Sequence, residues 1–192
     1  MRYSEDHKAQ THQRIIEEAA RLFRRDGVGA TGLQPLMKTL GLTHGGFYAH
    51  FKSKDELVET ALRHSADKLT AVTNEMANSD KPLTRLISGY LSSAHRANPG
   101  DGCPLPTMSA ELGQRGAPSP VTDELIRDRL QAIEAGLSVE HADEQSVLIL
   151  SAMVGALLLS RSVSDPELSD RLLKTTRRLL IEQNTSDAGK SA

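Results

Sequence analysis

The side chains able to do chemistry are few, and their spacing decides what they can do. The one thiol, Cys103, stands in the stretch DGCPLP. If a helix opens at Pro104, Cys103 takes its N-cap position, where unpaired backbone N–H groups and the helix dipole favour a reactive thiolate. Asp101 opposes that ionisation, and no lysine or arginine stands within several residues. A small thiol packed into a core is the other reading of the same residue. A single cysteine allows no internal disulfide and no cysteine-rich zinc site. His44 and His50 are six residues apart, unlike the i, i+4 pair that turns two imidazoles to one helix face, so no metal is assigned. Cys103 with His95 or His141 lacks a recognisable nucleophile and base spacing. The chain reads as non-enzymatic, with no cofactor.

Recognition chemistry is concentrated instead in LTHGGFYAHFKSKDEL, residues 42–57. Phe47 and Phe51 are spaced as one buried helix face, yet Gly45 and Gly46 precede them, and glycine costs a helix interior roughly 1 kcal/mol relative to alanine. At about 100° per residue, Gly45 and Ala49 fall opposite the two phenylalanines, with Gly46 and Tyr48 flanking. The outward side is almost bare. A helix pressed into a major groove gains from that, because small residues let the backbone approach base edges and phosphates. Thr43 as N-cap sets its hydroxyl and the first free N–H groups at the same end, ready for a phosphate. Lys52 and Lys54 stand beside it as phosphate partners.

The surrounding periodicity is helical. Ile15, Ile16, Ala19, Ala20, Leu22 and Phe23 make one face of a helix from Lys8 to Arg25, ended near Gly27 and Gly29. Leu33, Leu36, Met37 and Leu40 repeat the pattern briefly before Gly41; Pro35 moves the start of this helix toward Gln34. A third short helix runs from Thr43 to Phe51. Ser53 and Glu56 form a capping box for a long helix to about Asn78. Asp80-Lys-Pro82, Ser119-Pro120 and Asp165-Pro166 open helices near 81–97, 120–137 and 166–183, with another near 143–160. The segment 98–119 is irregular, with a short helix at 104–112. Nothing alternates with period two, so the chain is all-α.

Ten Lys/Arg face eight Asp/Glu in residues 1–63, and thirteen face seventeen beyond. This mild asymmetry points a polyanion partner to the N-terminal end. Of six Phe and Tyr, five lie within the first 51 residues and only Tyr90 beyond, which implies two cores of different character. The polar N-terminus is unlike a signal peptide, and no apolar run approaches the roughly 20 residues of a bilayer span. A soluble, cytoplasmic protein with no membrane partner is expected. The segment 145–163 is the most apolar, with Ser151, Ala152, Gly155 and Ala156 small enough for close helix approach. With Leu168, Leu172, Leu173, Leu179 and Leu180 it suits a dimer interface; an ordinary buried core helix is the alternative.

Residues 31–57, TGLQPLMKTLGLTHGGFYAHFKSKDEL, resemble the DNA-binding signature of the TetR-type transcriptional regulators. The resemblance is specific over about the first 60 residues and extends beyond them only in plan. It implies a helix-turn-helix domain over 1–52, a helical effector-binding and dimerisation domain over 53–185, and a frayed tail over 186–192. The resemblance further implies a homodimer through the last two helices on a double-stranded operator. Thr31, Thr43, Tyr48, His50 and Lys54 would meet the DNA backbone, with His44, Gly45 and Gly46 nearest the bases. The surroundings of Cys103, with Gly102, Ser109, Ala110 and Glu111, resemble the branch of repressors that answers N-ethylmaleimide and other electrophiles. Tyr90, Met76, Met108 and Met153 are pocket candidates; with Tyr90 the lone late aromatic, a small aliphatic or reactive effector fits better than a planar cation.

Overall fold

Apolar side chains repeating every three to four residues can be buried only by helices, and helices are what form. In the computed structural model the described residues are 2–77, 79–138 and 140–186. The expected helix end at Asn78, and the tail beyond Ser186, lie outside them. The helices are α1 (Arg2–Asp26), α2 (Leu33–Thr39), α3 (His44–Phe47), α4 (Lys54–Ala77), α5 (Pro82–Tyr90), α6 (Ser93–Ala97), α7 (Ala110–Gln114), α8 (Pro120–Glu134), α9 (Ala142–Ser162) and α10 (Pro166–Ser186). A 3₁₀ turn at Pro99–Asp101 and a π turn at Leu105–Ser109 occupy the irregular stretch.

Two compact units emerge, Met1–Lys68 with Gly100–Thr122, and Leu69–Pro99 with Asp123–Ala192. The breaks between them fall inside α4, in the 3₁₀ turn and inside α8. In the first unit, Ile15, Ala19, Phe23, Leu36, Phe47, Phe51, Leu57 and Leu62 are buried. In the second the core is aliphatic, with Leu83, Ile87, Leu125, Ile133, Ile149, Met153, Leu157 and Leu173. Burying each such side chain is worth about 1.5–3 kcal/mol.

Local departures have local causes. The helix expected over 81–97 breaks because Ser92 caps a new one, its hydroxyl accepting the His95 N–H at 3.1 Å. Pro35 stands third in α2 behind the Gly32 cap, where its missing N–H would have had no intrahelical partner. Asp165 caps α10 as expected, accepting the Glu167 N–H at 2.8 Å. Lys81, and not Asp80, caps α5, with φ 61° and no side-chain bond.

α9 corrects one expectation, since it is long and apolar enough by length and composition to cross a bilayer. Its Ile149, Met153, Ala156 and Leu157 are nevertheless buried, and it packs chiefly on α10. Arg161 near its end donates to the backbone carbonyls of His95, at 2.5 Å, and Arg96, at 3.2 Å.

Candidate nucleic-acid interface

The glycine pair shapes a recognition element shorter than its periodicity suggests. Helical geometry is confined to His44–Phe47, against the expected Thr43–Phe51. The chain then continues through turn bonds, from Ala49 N–H to Gly46 O at 3.3 Å, and from His50 and Phe51 N–H to Phe47 O at 2.9 and 3.0 Å. Two glycines give little propagation, and the i→i+3 bonds tighten the end. Thr43 caps the start, its hydroxyl accepting the Gly46 N–H at 3.2 Å.

Burial follows the helical wheel. Phe47 and Phe51 are inside, while Tyr48 is 60% exposed; Thr43, His44, Gly45 and Ala49 are exposed beside it. Phe51 is sandwiched, stacked at 5.6 Å on Phe47 and at 4.5 Å on the His12 ring of α1. Such pairs add about 0.5–1.5 kcal/mol beyond area burial. His44 and Tyr48 meet edge to face at 5.8 Å, so the exposed surface carries an imidazole and a phenol flanking bare backbone.

The two glycines differ. A methyl at Gly46 would come within 3.3 Å of the Thr43 cap oxygen, whereas one at Gly45 would meet nothing within 4 Å. The fold makes no steric demand for glycine at 45. Beyond helix preference, its lack of a side chain leaves the outward side open.

Two of the expected phosphate contacts, Thr31 and Lys54, also make bonds within the protein. Thr31 is 6% exposed, and its hydroxyl donates to Gly27 O at 2.8 Å. It closes the turn after α1, because a hydroxyl four residues on from a carbonyl finds it as an acceptor. The Lys54 ammonium donates to Val28 O at 2.6 Å; burial, and then the Arg115 charge, lower its pKa from the lysine norm. Lys52 is exposed, and its backbone N–H donates to Glu56 at 2.6 Å. The capping box is thus shifted, since Glu56 N–H reaches Ser53 Oγ at 3.1 Å while the glutamate returns to Lys52.

His50 is half-buried, and its pKa lies below the histidine norm of 6.5, chiefly from burial and secondarily from the charges of His12 and Lys8. A folded value below the unfolded one gives stability that is present above pH 6.5 and lost as pH falls through the folded value. A phosphate against the ring acts oppositely. DNA affinity should therefore rise as pH falls toward about 6, and His50→Gln should flatten that rise in binding titrations. An equal slope in the variant would remove His50 from the interface.

Sequence reading missed what holds the turn ahead of α2. Glu111 of α7 accepts the Val28 N–H at 2.6 Å and the Gly29 N–H at 2.7 Å, and pairs with Arg115. With Lys54 on its carbonyl, the Val28 peptide unit is gripped from both sides. Gly27, at φ +92°, lets the chain turn there, and a Cβ would lie 3.0 Å from the Glu111 carboxylate. Side chains far apart in sequence leave no periodic trace, so nothing short of the fold reveals this latch.

Cys103 is 2% exposed. It does not cap a helix: the cap residue of the π turn is Pro104, whose ring already sets helical φ. Arg24, buried below it in sequence on α1, donates to Gly100 O at 2.8 Å and to the Ser65 hydroxyl. Burial lowers the Arg24 pKa, while the charges of Asp101 and Cys103 raise it, so a guanidinium stands within electrostatic reach of the thiol.

The second unit has a cavity of about 430 Å³ between α4, α5 and α8. Met76 lines it; Tyr90 and Met153 do not. Met153 is core, as is Met108 in the first unit, and Tyr90 packs edge-on at 4.7 Å against His95.

Comparison with known proteins accords with this geometry. Residues 15–61 match the model for bacterial regulatory proteins of the tetR family. An uncharacterised HTH-type transcriptional regulator of Mycobacterium tuberculosis is 28% identical over 187 residues, covering 89% of this chain and 94% of that protein. The repressor KstR2 of the same species is 34% identical over 80 residues, covering 41% of this chain and 40% of that protein. In fold, the chain is similar to a TetR-family regulator from Agrobacterium tumefaciens, with TM-score 0.76 and 17% identity over 92% of this chain and 98% of that one. It is similar also to the reduced form of Escherichia coli NemR, with TM-score 0.72 and 19% identity over 89% and 95%. Residues 15–61 thus match the tetR family of bacterial regulatory proteins, and the chain as a whole is similar in fold to TetR-family transcriptional regulators.

Proposed function

We propose that the chain is a homodimeric repressor that leaves a pseudo-palindromic operator when a small effector binds or when Cys103 is modified. The open space at Gly45 carries this reading: a position where the fold tolerates a side chain, and has none, on the exposed side of the recognition element. Thr43, Tyr48, His50 and Lys52 take the DNA backbone, and His44, Gly45 and Gly46 approach the bases. Thr31 and Lys54 act behind them, holding the turn.

Two copies are needed to read a palindrome, with recognition elements about 34–36 Å apart. The surface of the second unit supports pairing. Val147, Leu148, Leu158 and Leu159 of α9 and Leu168 and Leu179 of α10 are all exposed, and a methyl at Gly155 would meet nothing within 4 Å. An apolar face of this kind marks an interaction site. Leu148→Glu should yield a folded monomer by sedimentation whose operator affinity falls by roughly 10²-fold or more as avidity is lost. A variant that still sediments as a dimer would move the interface elsewhere.

The Cys103 branch is tested directly with N-ethylmaleimide, to which the thiolate adds, forming one C–S bond as the maleimide double bond takes up the proton. The thiol lies in the same unit as the π turn and α7, whose Glu111 holds the turn ahead of α2. A bulky adduct there is expected to strain that latch. The reagent should release DNA from the wild-type protein and not from Cys103→Ser. Equal release from both would leave only the effector route.

A further inference from the structure

The cavity of the second unit has two chemically different ends, and they select a ligand. At one end stands Arg129, 5% exposed, donating to the Thr73 hydroxyl and, at 3.2 Å, to the Thr70 hydroxyl. Those bonds hold the guanidinium in place on the wall, and a guanidinium is a strong donor to a carboxylate. At the other end the wall is aliphatic, with Met76, Leu83, Leu86 and Ala132. Gly136 closes it, where a Cβ would lie 2.9 Å from that of Leu83. Among the described residues, no aromatic ring lines the cavity. Arg129 and Gly136 are both on the wall, the first within α8 and the second just beyond its end at Glu134.

Asp128 stands at the polar end too, accepting from Thr70 at 3.4 Å. It is exposed, and water and salt screen an exposed charge far more than a buried one. The guanidinium therefore sets the sign of the site. We propose that this cavity binds a small aliphatic carboxylate, its head on Arg129 and its tail toward Met76, Leu83 and Leu86. The volume lies within the range of small-molecule sites. As the identity of the effector, the proposal rests on the repressor reading; as a binding site, it stands separately.

The test is calorimetry on the full chain with octanoate, octanol and octyltrimethylammonium, each below its aggregation concentration. Octanoate should saturate one site per chain and bind at least roughly tenfold more tightly than the other two, the worth of a charged hydrogen bond. Arg129→Met should lose that preference. Should that variant fail to fold, Ala132→Phe fills the tail volume with the guanidinium in place, and should abolish octanoate binding. Equal or tighter binding of the ammonium, or octanoate binding retained in the variants, overturns the site. Operator release is measured in parallel. Octanoate that binds without loosening DNA upholds the site and counts against the effector role. A protein released by some other compound and never occupied by octanoate overturns the site and leaves the repressor reading standing.

Discussion

Gly45→Glu should abolish operator binding while the protein folds as before. A Cβ at 45 meets nothing within 4 Å, so the side chain leaves the backbone without a clash, and an acid in the first turn of a helix is favoured by its dipole. Unfolding free energy should be no lower than the parent's, and up to about 1 kcal/mol higher from helix preference. Against DNA the same carboxylate meets phosphates, and like-charge juxtaposition costs several kcal/mol, on the order of 10³ in dissociation constant. Gly45→Ala grades the effect: it should stabilise by up to about 1 kcal/mol and still weaken binding, because a methyl holds the backbone off the bases. A Gly45→Glu protein that binds as well as the parent would place the DNA on another surface.

Removing the Glu111 carboxylate is the second large perturbation. Two backbone N–H groups, of Val28 and Gly29, lose their acceptor, and Arg115 loses its ion-pair partner. Leaving such donors unpaired costs about 1–3 kcal/mol where they are shielded from water; Val28 is buried and Gly29 exposed, so Val28 accounts for more of it. Glu111→Ala should therefore lower the denaturation midpoint and weaken operator binding by roughly tenfold, since the turn that seats α2 is loosened. Glu111→Gln keeps one acceptor oxygen and should recover part of both. If alanine at 111 changes neither stability nor binding, the latch does not position the helix-turn-helix.

The burial and capping of residues 43–51 were readable from local chemistry. The spacing of Phe47 and Phe51, the Thr43 cap and the Gly45–Gly46 pair all act within one turn, and burial divides them as the wheel does. Length was less readable, because two glycines cut the helical span of the element to His44–Phe47. Contacts between distant segments were not readable at all. Glu111 with Val28, Lys54 with Val28, Arg24 with Gly100 and His12 with Phe51 leave no periodicity, and they decide which charged groups remain for a partner. Lys54 reads in sequence as a phosphate contact, and the fold adds a bond the sequence did not show, from its ammonium to the Val28 carbonyl at 2.6 Å. Cys103 shows the converse. A cationic group that acts on it comes from α1, far away in sequence, as Arg24.

The most direct test is titration of the purified protein against the DNA flanking its own gene over a range of salt concentrations. Each phosphate neutralised contributes about −0.9 to the slope of log affinity against log salt. Specific, steeply salt-sensitive binding that Gly45→Glu eliminates is the predicted result. Affinity that is independent of salt, or unchanged by that substitution, would contradict the assignment of residues 43–52 as the DNA-reading surface.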